Sequence, residues 1–234
     1  MPIHPILSLH KKPNVWLDPQ ALIQRPEAAA WVAQCIANWS WVESTMGTLF
    51  SNLLGTNLPA GAALYNDMTS ALSKDRALRS VALAALTADD YALLEALLKF
   101  KDGHQRTRDK YAHWYWGICD EITDGLVLVD PRYMLQYRAN LLDLHDKGQR
   151  VGAEMDRTKI YVARVKDLKA DASDFAELAK LVFSFANLDA EKNPAKRERR
   201  RLALSSDARI RSILDRGSHS DRKKNSSSSD MTAS

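Results

Sequence analysis

Apolar residues recur at helical spacing over most of the first half of the chain. The longest stripe advances by three or four positions through residues 26–54. Its members are Val32, Ile36, Trp39, Val42, Met46, Leu49 and Leu53. Pro26 suits the first turn of a helix, and Gly55 suits its end. The pattern predicts a helix over residues 26–54, with further buried surface at Trp41 and Phe50.

Two shorter helices are predicted next. One starts at Pro59 and covers about residues 60–72, with Leu64, Met68 and Leu72 facing inward. The other covers about residues 74–86, where Ser73 is a candidate N-cap because its hydroxyl can accept a hydrogen bond from the first turn.

A longer helix follows and ends near Gly117. Thr87 and Asp90 resemble a capping box in which Asp replaces Glu, so they mark its start. Residues 102–103, Asp-Gly, lie inside the helix and are expected to kink it or to split it in two.

After Gly117 the apolar pattern changes to the alternation of strands. Residues 118–123 and 126–129 are predicted to form a hairpin joined by a tight turn at residues 124–125, Asp-Gly. Residues 159–165 alternate in the same way and predict a third strand.

The remaining body is predicted to be helix and loop. Residues 133–144 favour a helix, and residues 145–157 favour a polar loop. Asp167 is expected to cap a last helix that runs to Leu188. Its inward residues are Leu168, Phe175, Leu178, Val182 and Phe185.

These elements predict a mainly α protein. Residues 1–25 are expected to form an irregular arm, and residues 26–189 a helical bundle domain. The bundle carries a small antiparallel β appendage, made of a hairpin insertion at about 118–130 and a strand at about 159–165. Residues 190–234 are expected to form a basic, Ser-rich tail that is disordered at its end.

The composition indicates the cellular compartment and excludes several classes of protein. The apolar content of 45% is ordinary for a globular chain. Cys35 and Cys119 are far apart and have no zinc-ligand spacing, which argues against a disulfide framework and a zinc site. We expect no metal or cofactor. No signal peptide and no membrane span of ~18 apolar residues is visible, so we expect a cytoplasmic protein that does not enter a membrane.

Positive charge is concentrated in the tail. Residues 190–234 contain 12 Lys and Arg against 6 Asp and Glu, a net charge of +6; because the whole chain carries +4, the rest carries −2. The densest cluster is a candidate RNA-binding site and comprises Lys196, Arg197, Arg199, Arg200 and Arg201. A solvated charged helix explains the same cluster equally well.

The candidate chemistry lies between Arg108 and Tyr115, where Asp109 follows the arginine directly and His113 comes five positions after it. Arg108 and His113 resemble the R-x4-H signature of HEPN domains. With Tyr115 added, the spacing is similar to the R-x4-H-x-Y form of toxins paired with minimal nucleotidyltransferases. Asp109 and His113 are four positions apart on a helix, so Asp109 is a candidate to orient the imidazole.

The resemblance implies a HEPN-like antiparallel bundle and a metal-independent endoribonuclease that acts as a homodimer, as a toxin or defence effector. His113 would be the general base that activates a ribose 2′-hydroxyl, and Arg108 the clamp on the phosphate. It also implies that a nucleotidyltransferase antitoxin modifies Tyr115 with AMP. Glu43 is a candidate to reach Arg108 or His113 and line the site.

Each assignment has a simpler alternative. His113 is equally read as a hydrogen-bonded boundary residue, Tyr115 as one more aromatic of the bundle, and Glu43 as a solvated carboxylate at a helix edge. Many HEPN domains are also adaptors without activity, so the alternative function is a non-catalytic dimerisation or binding module.

Overall fold

The computed structural model describes residues 3–147 and 155–216, which are mainly helical and contain one antiparallel sheet. The helices are α1 (Ile6–Leu9), α2 (Ala21–Gln24), α3 (Pro26–Leu53), α4 (Leu58–Asp67), α5 (Ala71–Ala85), α6 (Ala88–His113), α7 (Pro131–Asp146), α8 (Val165–Ala190) and α9 (Pro194–Ser206). Residues 208–216 are also helical. The strands are β1 (His4–Pro5), β2 (Val15–Leu17), β3 (Tyr115–Cys119), β4 (Ile122–Val129) and β5 (Ile160–Arg164).

The chain divides into two compact units. The first comprises residues up to Trp39 together with Gln105–Ala176, and the second comprises Ser40–His104 together with residues from Glu177 onward. The first unit contains the whole sheet. Within the described ranges, no helix has the length and apolar character required to cross a bilayer.

The sheet of the first unit has the strand order β1-β5-β4-β3-β2, with every neighbouring pair antiparallel. Val127 is central, because it pairs with Gly117 on one side and with Val162 on the other. Gly117 also lies opposite Leu17 of β2, and a Cβ atom there would approach the carbonyl oxygen of Trp16 to 2.4 Å. The close packing of β2 against β3 therefore requires glycine at this position.

Two groups of apolar side chains stabilise the first unit. One lies between the sheet and α7, and its buried members are Ile6, Cys119, Ile122, Val127, Val129, Met134, Ile160 and Val162. The other joins α3 to α8, where the rings of Trp39 and Phe175 meet edge to face with centroids 6.1 Å apart. Trp116 of β3 stacks on Tyr111 of α6 at 6.2 Å, so the last turns of α6 pack beside the sheet.

The helices of the second unit begin at residues whose side chains accept hydrogen bonds from the first turn. Asn57 accepts from the backbone of Ala60, and Ser70 accepts from that of Ser73. Thr87 accepts from the backbone N–H of Asp90, as the capping-box pattern predicts. Buried apolar residues of this unit include Val42, Met46, Leu49, Leu78, Leu94, Leu97, Leu98, Leu178, Val182 and Phe185.

The broad prediction of a mainly helical chain with a small antiparallel sheet is confirmed. The helices expected over 26–54 and up to Leu188 are present as α3 and α8, and residues 133–144 lie within α7. Residues 102–103 do not split α6, which is continuous from Ala88 to His113.

The predictions for α4 and α5 were wrong in their boundaries, and the prediction for the helix over 60–72 was also wrong in its inward residues. Asn57 and Ser70 begin these helices, in place of the region near Pro59 and of Ser73. Leu64 and Leu72 are exposed, and Tyr65 is a buried residue of α4. Trp41 of α3, expected to be buried, is 71% exposed.

The predicted hairpin has its turn in a different place. Cys119 pairs with Ile122, so the turn lies at residues 120–121, and residues 124–125 continue β4. Gly125 lies opposite Arg164 of β5, where a Cβ would be 3.0 Å from the carbonyl oxygen of Ala163. The glycine therefore permits close strand pairing here and does not form a turn.

The two ends of the chain also differ from the predictions. The segment expected to be an irregular arm contains β1 and β2, which are the two edge strands of the sheet. The basic part of the expected tail is helical over Pro194–Ser206 and 208–216, with Asn193 as N-cap. Residues 217–234, predicted to be disordered, and residues 148–154 of the predicted polar loop lie outside the described residues.

Candidate functional site

The R-x4-H motif occupies the last turn and a half of α6, in the first unit. Arg108, Asp109 and His113 are helical, whereas Tyr115 belongs to β3. The helix was predicted to continue to Gly117, and this was wrong, because Tyr115 pairs with Val129 of the sheet. Arg108 and Tyr115 therefore do not share a helical face.

Arg108 lies towards the buried side of α6. Tyr111, three positions further on and therefore about 60° away around the helix, is 3% exposed. The Arg108 guanidinium is about one-third exposed, and its Nη1 lies 3.1 Å from Oδ1 of Asp109. Its Nε is buried and forms no hydrogen bond with any residue that the structure describes. Arg108 thus presents only its terminal nitrogens to solvent.

Asp109 does not orient His113 in the way the sequence suggested. Its carboxylate accepts from Arg108, and in residues 3–147 and 155–216 no hydrogen bond joins it to His113. Only about 40° around the helix separates these two residues, so the helix permits the pairing. Asp109 instead contacts Arg108, with 3.1 Å between Oδ1 and Nη1.

His113 is the last residue of α6 and is exposed to solvent. Within the described part of the chain it forms no hydrogen bond or ion pair, so neither ring nitrogen is bound by a described residue. At five positions from Arg108, it projects about 140° away from that residue around the helix axis. A proton acceptor and a guanidinium are both present, but they point in different directions within one chain.

Tyr115 is half-buried on β3. It packs against the apolar group between the sheet and α7, and the guanidinium carbon of Arg138 lies 5.5 Å from its ring centroid. Glu43 lies in the second unit, where its carboxylate forms an ion pair of 3.1 Å with Nζ of Lys74. Glu43 is therefore engaged by a lysine that the sequence analysis did not connect with it.

The basic cluster of α9 is largely paired within the second unit. Arg197 lies 2.5 Å from the carboxylate of Asp90, and Arg201 lies 2.8 Å from that of Asp89 and 2.9 Å from that of Glu198. These contacts join α9 to the first turn of α6.

The other members of the cluster are less constrained. Arg200 approaches Glu191 at 3.8 Å. Lys196 and Arg199 are exposed and form no ion pair with any described residue. Of the five predicted RNA-binding residues, these three are therefore the more accessible to a phosphate.

Sequence reasoning missed two features of the same helix. Tyr111 donates a hydrogen bond to the carboxylate of Asp171 in α8, and both side chains are buried. Arg106 and Lys110 lie on the face of α6 that carries His113, because the three are spaced by four and three positions. That spacing is visible in the sequence and indicates a shared face, whereas the R-x4-H pattern indicates Arg108 in place of Arg106 and Lys110.

No group of three or more His, Cys, Asp and Glu side chains suited to a metal ion occurs in the part of the chain that the structure describes. The chain matches no protein-family model, no curated protein and no solved structure.

Proposed function

We propose that this chain is a HEPN-like, metal-independent endoribonuclease that acts as a homodimer, with a bundle of the HEPN kind formed by its long helices. The observation that carries the proposal is the position of His113, exposed at the end of α6 with neither ring nitrogen bound by a residue that the structure describes. An imidazole nitrogen without another partner can act as a general base. The proposal rests on the similarity of the Arg108–His113 spacing to the HEPN motif.

The reaction follows from these groups. His113 takes the proton of a ribose 2′-hydroxyl, whose oxygen attacks the neighbouring phosphorus, and Arg108 stabilises the charge on the phosphate oxygens. The bond from phosphorus to the 5′ oxygen breaks, and that oxygen receives a proton from the imidazolium. The products are a 2′,3′-cyclic phosphate and a 5′-hydroxyl end.

The separation of Arg108 and His113 by about 140° favours a site made from two copies. In a two-fold dimer, Arg108 of one copy and His113 of the other bracket the same phosphodiester, and symmetry forms the site twice. Asp109 then positions Arg108, through the 3.1 Å ion pair, and not the imidazole.

The hypothesis that the chain is a toxin implies a partner protein. A nucleotidyltransferase antitoxin that adds AMP to Tyr115 would place a bulky anion two positions from His113 and exclude RNA from it. The group to be modified is the hydroxyl of Tyr115, whose half-buried ring lies beside the guanidinium of Arg138. A mass increase of one AMP that is lost in Tyr115→Phe is the expected result when such a partner is supplied.

The test of cleavage uses single-stranded RNA in EDTA. We expect the wild-type chain to produce cyclic phosphate ends, and His113→Ala to lower the rate by about 10²–10⁴-fold. Arg108→Ala should lower it by about 10²–10³-fold. His145→Ala is the matched control, since His145 is an exposed helical histidine of α7. Equal cleavage by wild type and His113→Ala, or none by wild type, would refute the nuclease.

A mixing experiment tests the two-copy site. His113→Ala and Arg108→Ala chains are each inactive alone, but a mixed dimer contains one intact site if the two residues act in trans. Random mixing should then restore about a quarter of the wild-type activity. If both residues act within one chain, mixing restores nothing.

One observation favours a second function, a non-catalytic dimerisation or binding module. Arg108 is held by Asp109, its Nε is buried, and it points away from His113. A dimer in light scattering that fails to cleave any RNA would support this reading, and cleavage that depends on His113 would exclude it.

A further inference from the structure

The face of α6 opposite Arg108 carries its own positive charge. Arg106, Lys110 and His113 are spaced by four and three residues, so they lie within about 60° of one another around the helix. Arg106 and His113 are exposed and Lys110 is half-buried. Among residues 3–147 and 155–216, none of the three forms an ion pair. Two cations that form no ion pair thus lie beside the proposed base.

An aromatic pair adjoins these cations. Trp114 follows His113 directly, and Nζ of Lys110 lies 5.2 Å from the centroid of its ring. The ring of Tyr161, on β5, packs against Trp114 with centroids 5.7 Å apart and an angle of 54° between the planes. Both rings are half-buried. Part of each residue therefore remains accessible, and Tyr161 is held in place by the sheet.

Nearby carboxylates offset the positive charge of this face only in part. Burial lowers the pKa of Lys110, and the nearby charge of Arg106 lowers it further. Asp130 acts in the opposite direction, but its carboxylate is 2.6 Å from the guanidinium of Arg132. Asp109 is likewise engaged by Arg108. The surface that contains Arg106 and Lys110 consequently favours an anion.

We infer that Arg106, Lys110, Trp114 and Tyr161 form a binding site for single-stranded RNA. The two cations bind phosphate groups, and an unpaired base packs against the Trp114–Tyr161 pair. The adjoining ribose is thereby brought to His113. The choice of RNA and the role of His113 rest on the proposed nuclease, whereas the binding itself does not.

The chemistry of the site favours a single strand over a duplex. Bases in a duplex are stacked on one another and cannot reach a protein ring, whereas unpaired bases stack on aromatic side chains. The combination of lysine or arginine with accessible aromatic rings is the arrangement typical of single-strand binding. The basic cluster of α9 has no aromatic residue, so it does not offer this mode.

Binding is measured with a fluorescein-labelled, single-stranded 2′-O-methyl RNA by fluorescence anisotropy. This RNA has no free 2′-hydroxyl and cannot be cleaved by 2′-hydroxyl attack, so binding is read separately from nuclease activity. We expect Lys110→Gln to weaken binding about tenfold and to lower the slope of log K against log salt by about one. We expect Trp114→Leu to weaken it about tenfold through lost stacking.

The chain provides a matched control pair in the same unit. Nζ of Lys169 lies 5.7 Å from the ring centroid of Trp31, which repeats the lysine–tryptophan contact on other helices. Lys169→Gln and Trp31→Leu should bind RNA as the wild type does. Thermal melting checks that each variant is folded, and Lys110→Arg, which keeps the charge, should retain affinity.

Wild-type affinity in either Lys110→Gln or folded Trp114→Leu would overturn the inference. So would equal affinity for a duplex, or no binding of the single strand by the wild-type chain. Binding that depends on both residues, without cleavage of ordinary RNA, would support this site and refute the nuclease. Cleavage that depends on His113 but not on Lys110 or Trp114 would do the reverse.

Discussion

The hydroxyl of Tyr111 donates a hydrogen bond to the carboxylate of Asp171, and both residues are buried within the first unit. Burial and the charge of Asp171 raise the pKa of Tyr111 well above its ordinary value, so the phenol remains the donor. This bond joins α6 to α8 three positions after Arg108 and two before His113. It therefore helps to fix the rotation of α6, and with it which of these two residues lies towards the buried side.

We predict that Tyr111→Phe lowers the free energy of unfolding by about 1–3 kcal/mol, because Asp171 loses a buried donor. Urea denaturation measures this loss. Tyr91→Phe is the control, since the Tyr91 hydroxyl lies 3.1 Å from Glu95 at a less buried position. The control should change stability by at most about 0.5 kcal/mol. Equal losses in the two variants would show that burial does not set the strength of the Tyr111 bond.

The sequence predicts the long helices well, because their burial repeats along one stripe. α3 and α8 show this, since nearly every residue of their apolar stripes is buried. The sheet is less predictable, because its pairing depends on residues far apart in sequence. His4 of β1 lies opposite Val162 of β5, and no local pattern signals that contact.

The sequence identifies the motif of the candidate site, but it does not predict the geometry of that motif. The spacing of Arg108 and His113 identifies the motif, but helical periodicity alone does not say which side of α6 is buried at its end. Tyr111 decides this through a partner in α8 that is 60 positions away in the chain. The end of the helix was also misplaced, because Tyr115 is recruited into the sheet by its pairing with Val129.

We predict that alanine substitution has opposite effects on stability at Gly117 and at Gly103. Gly117→Ala places a Cβ 2.4 Å from the carbonyl oxygen of Trp16, so we expect a loss of about 2 kcal/mol or more from displaced strands. A Cβ at Gly103, inside α6, meets nothing within 4 Å. Gly103→Ala should therefore stabilise the chain by about 0.5–1 kcal/mol, as alanine favours helix. Thermal melts of both variants test this, and a stabilised Gly117→Ala would contradict the packing of β2 against β3.

We predict that substitution of Asp189 stabilises the chain to an extent that depends on pH. Its pKa is raised by burial and by the charge of Asp90, against the opposing effect of Arg197. An acid with a higher pKa in the folded chain opposes folding once the pH exceeds its unfolded value of about 3.9, because the folded state must hold the charged form. We therefore expect Asp189→Asn to raise the melting temperature at about pH 7.

This gain should shrink as the pH falls towards about 3.9 and be absent below it, where the acid is protonated in both states. Melts over that range measure the effect. Asp174→Asn, an exposed position of the same helix, provides the control and should show no such trend. A lower melting temperature for Asp189→Asn at neutral pH would mean that attraction to Arg197 outweighs burial.

We predict that Arg197, a member of the basic cluster, stabilises the fold and does not bind RNA. Its guanidinium lies 2.5 Å from Asp90, whose side chain is only 4% exposed. Arg197→Ala leaves that buried carboxylate without this cation, so we expect a loss of about 2 kcal/mol, reduced from the full cost of a buried pair because Arg197 is one-third exposed.

Arg199→Ala, on the exposed side of the same helix, is the matched control. It should leave the urea midpoint unchanged. If α9 contributes to RNA binding, Arg199→Ala should also weaken that binding and lower the slope of log K against log salt by about one. Urea denaturation and RNA titration of the two variants separate the roles. Comparable losses of stability in both would mean that the Asp90 contact does not hold α9 to α6, and the pairing of Arg201 with Asp89 would then have to do so.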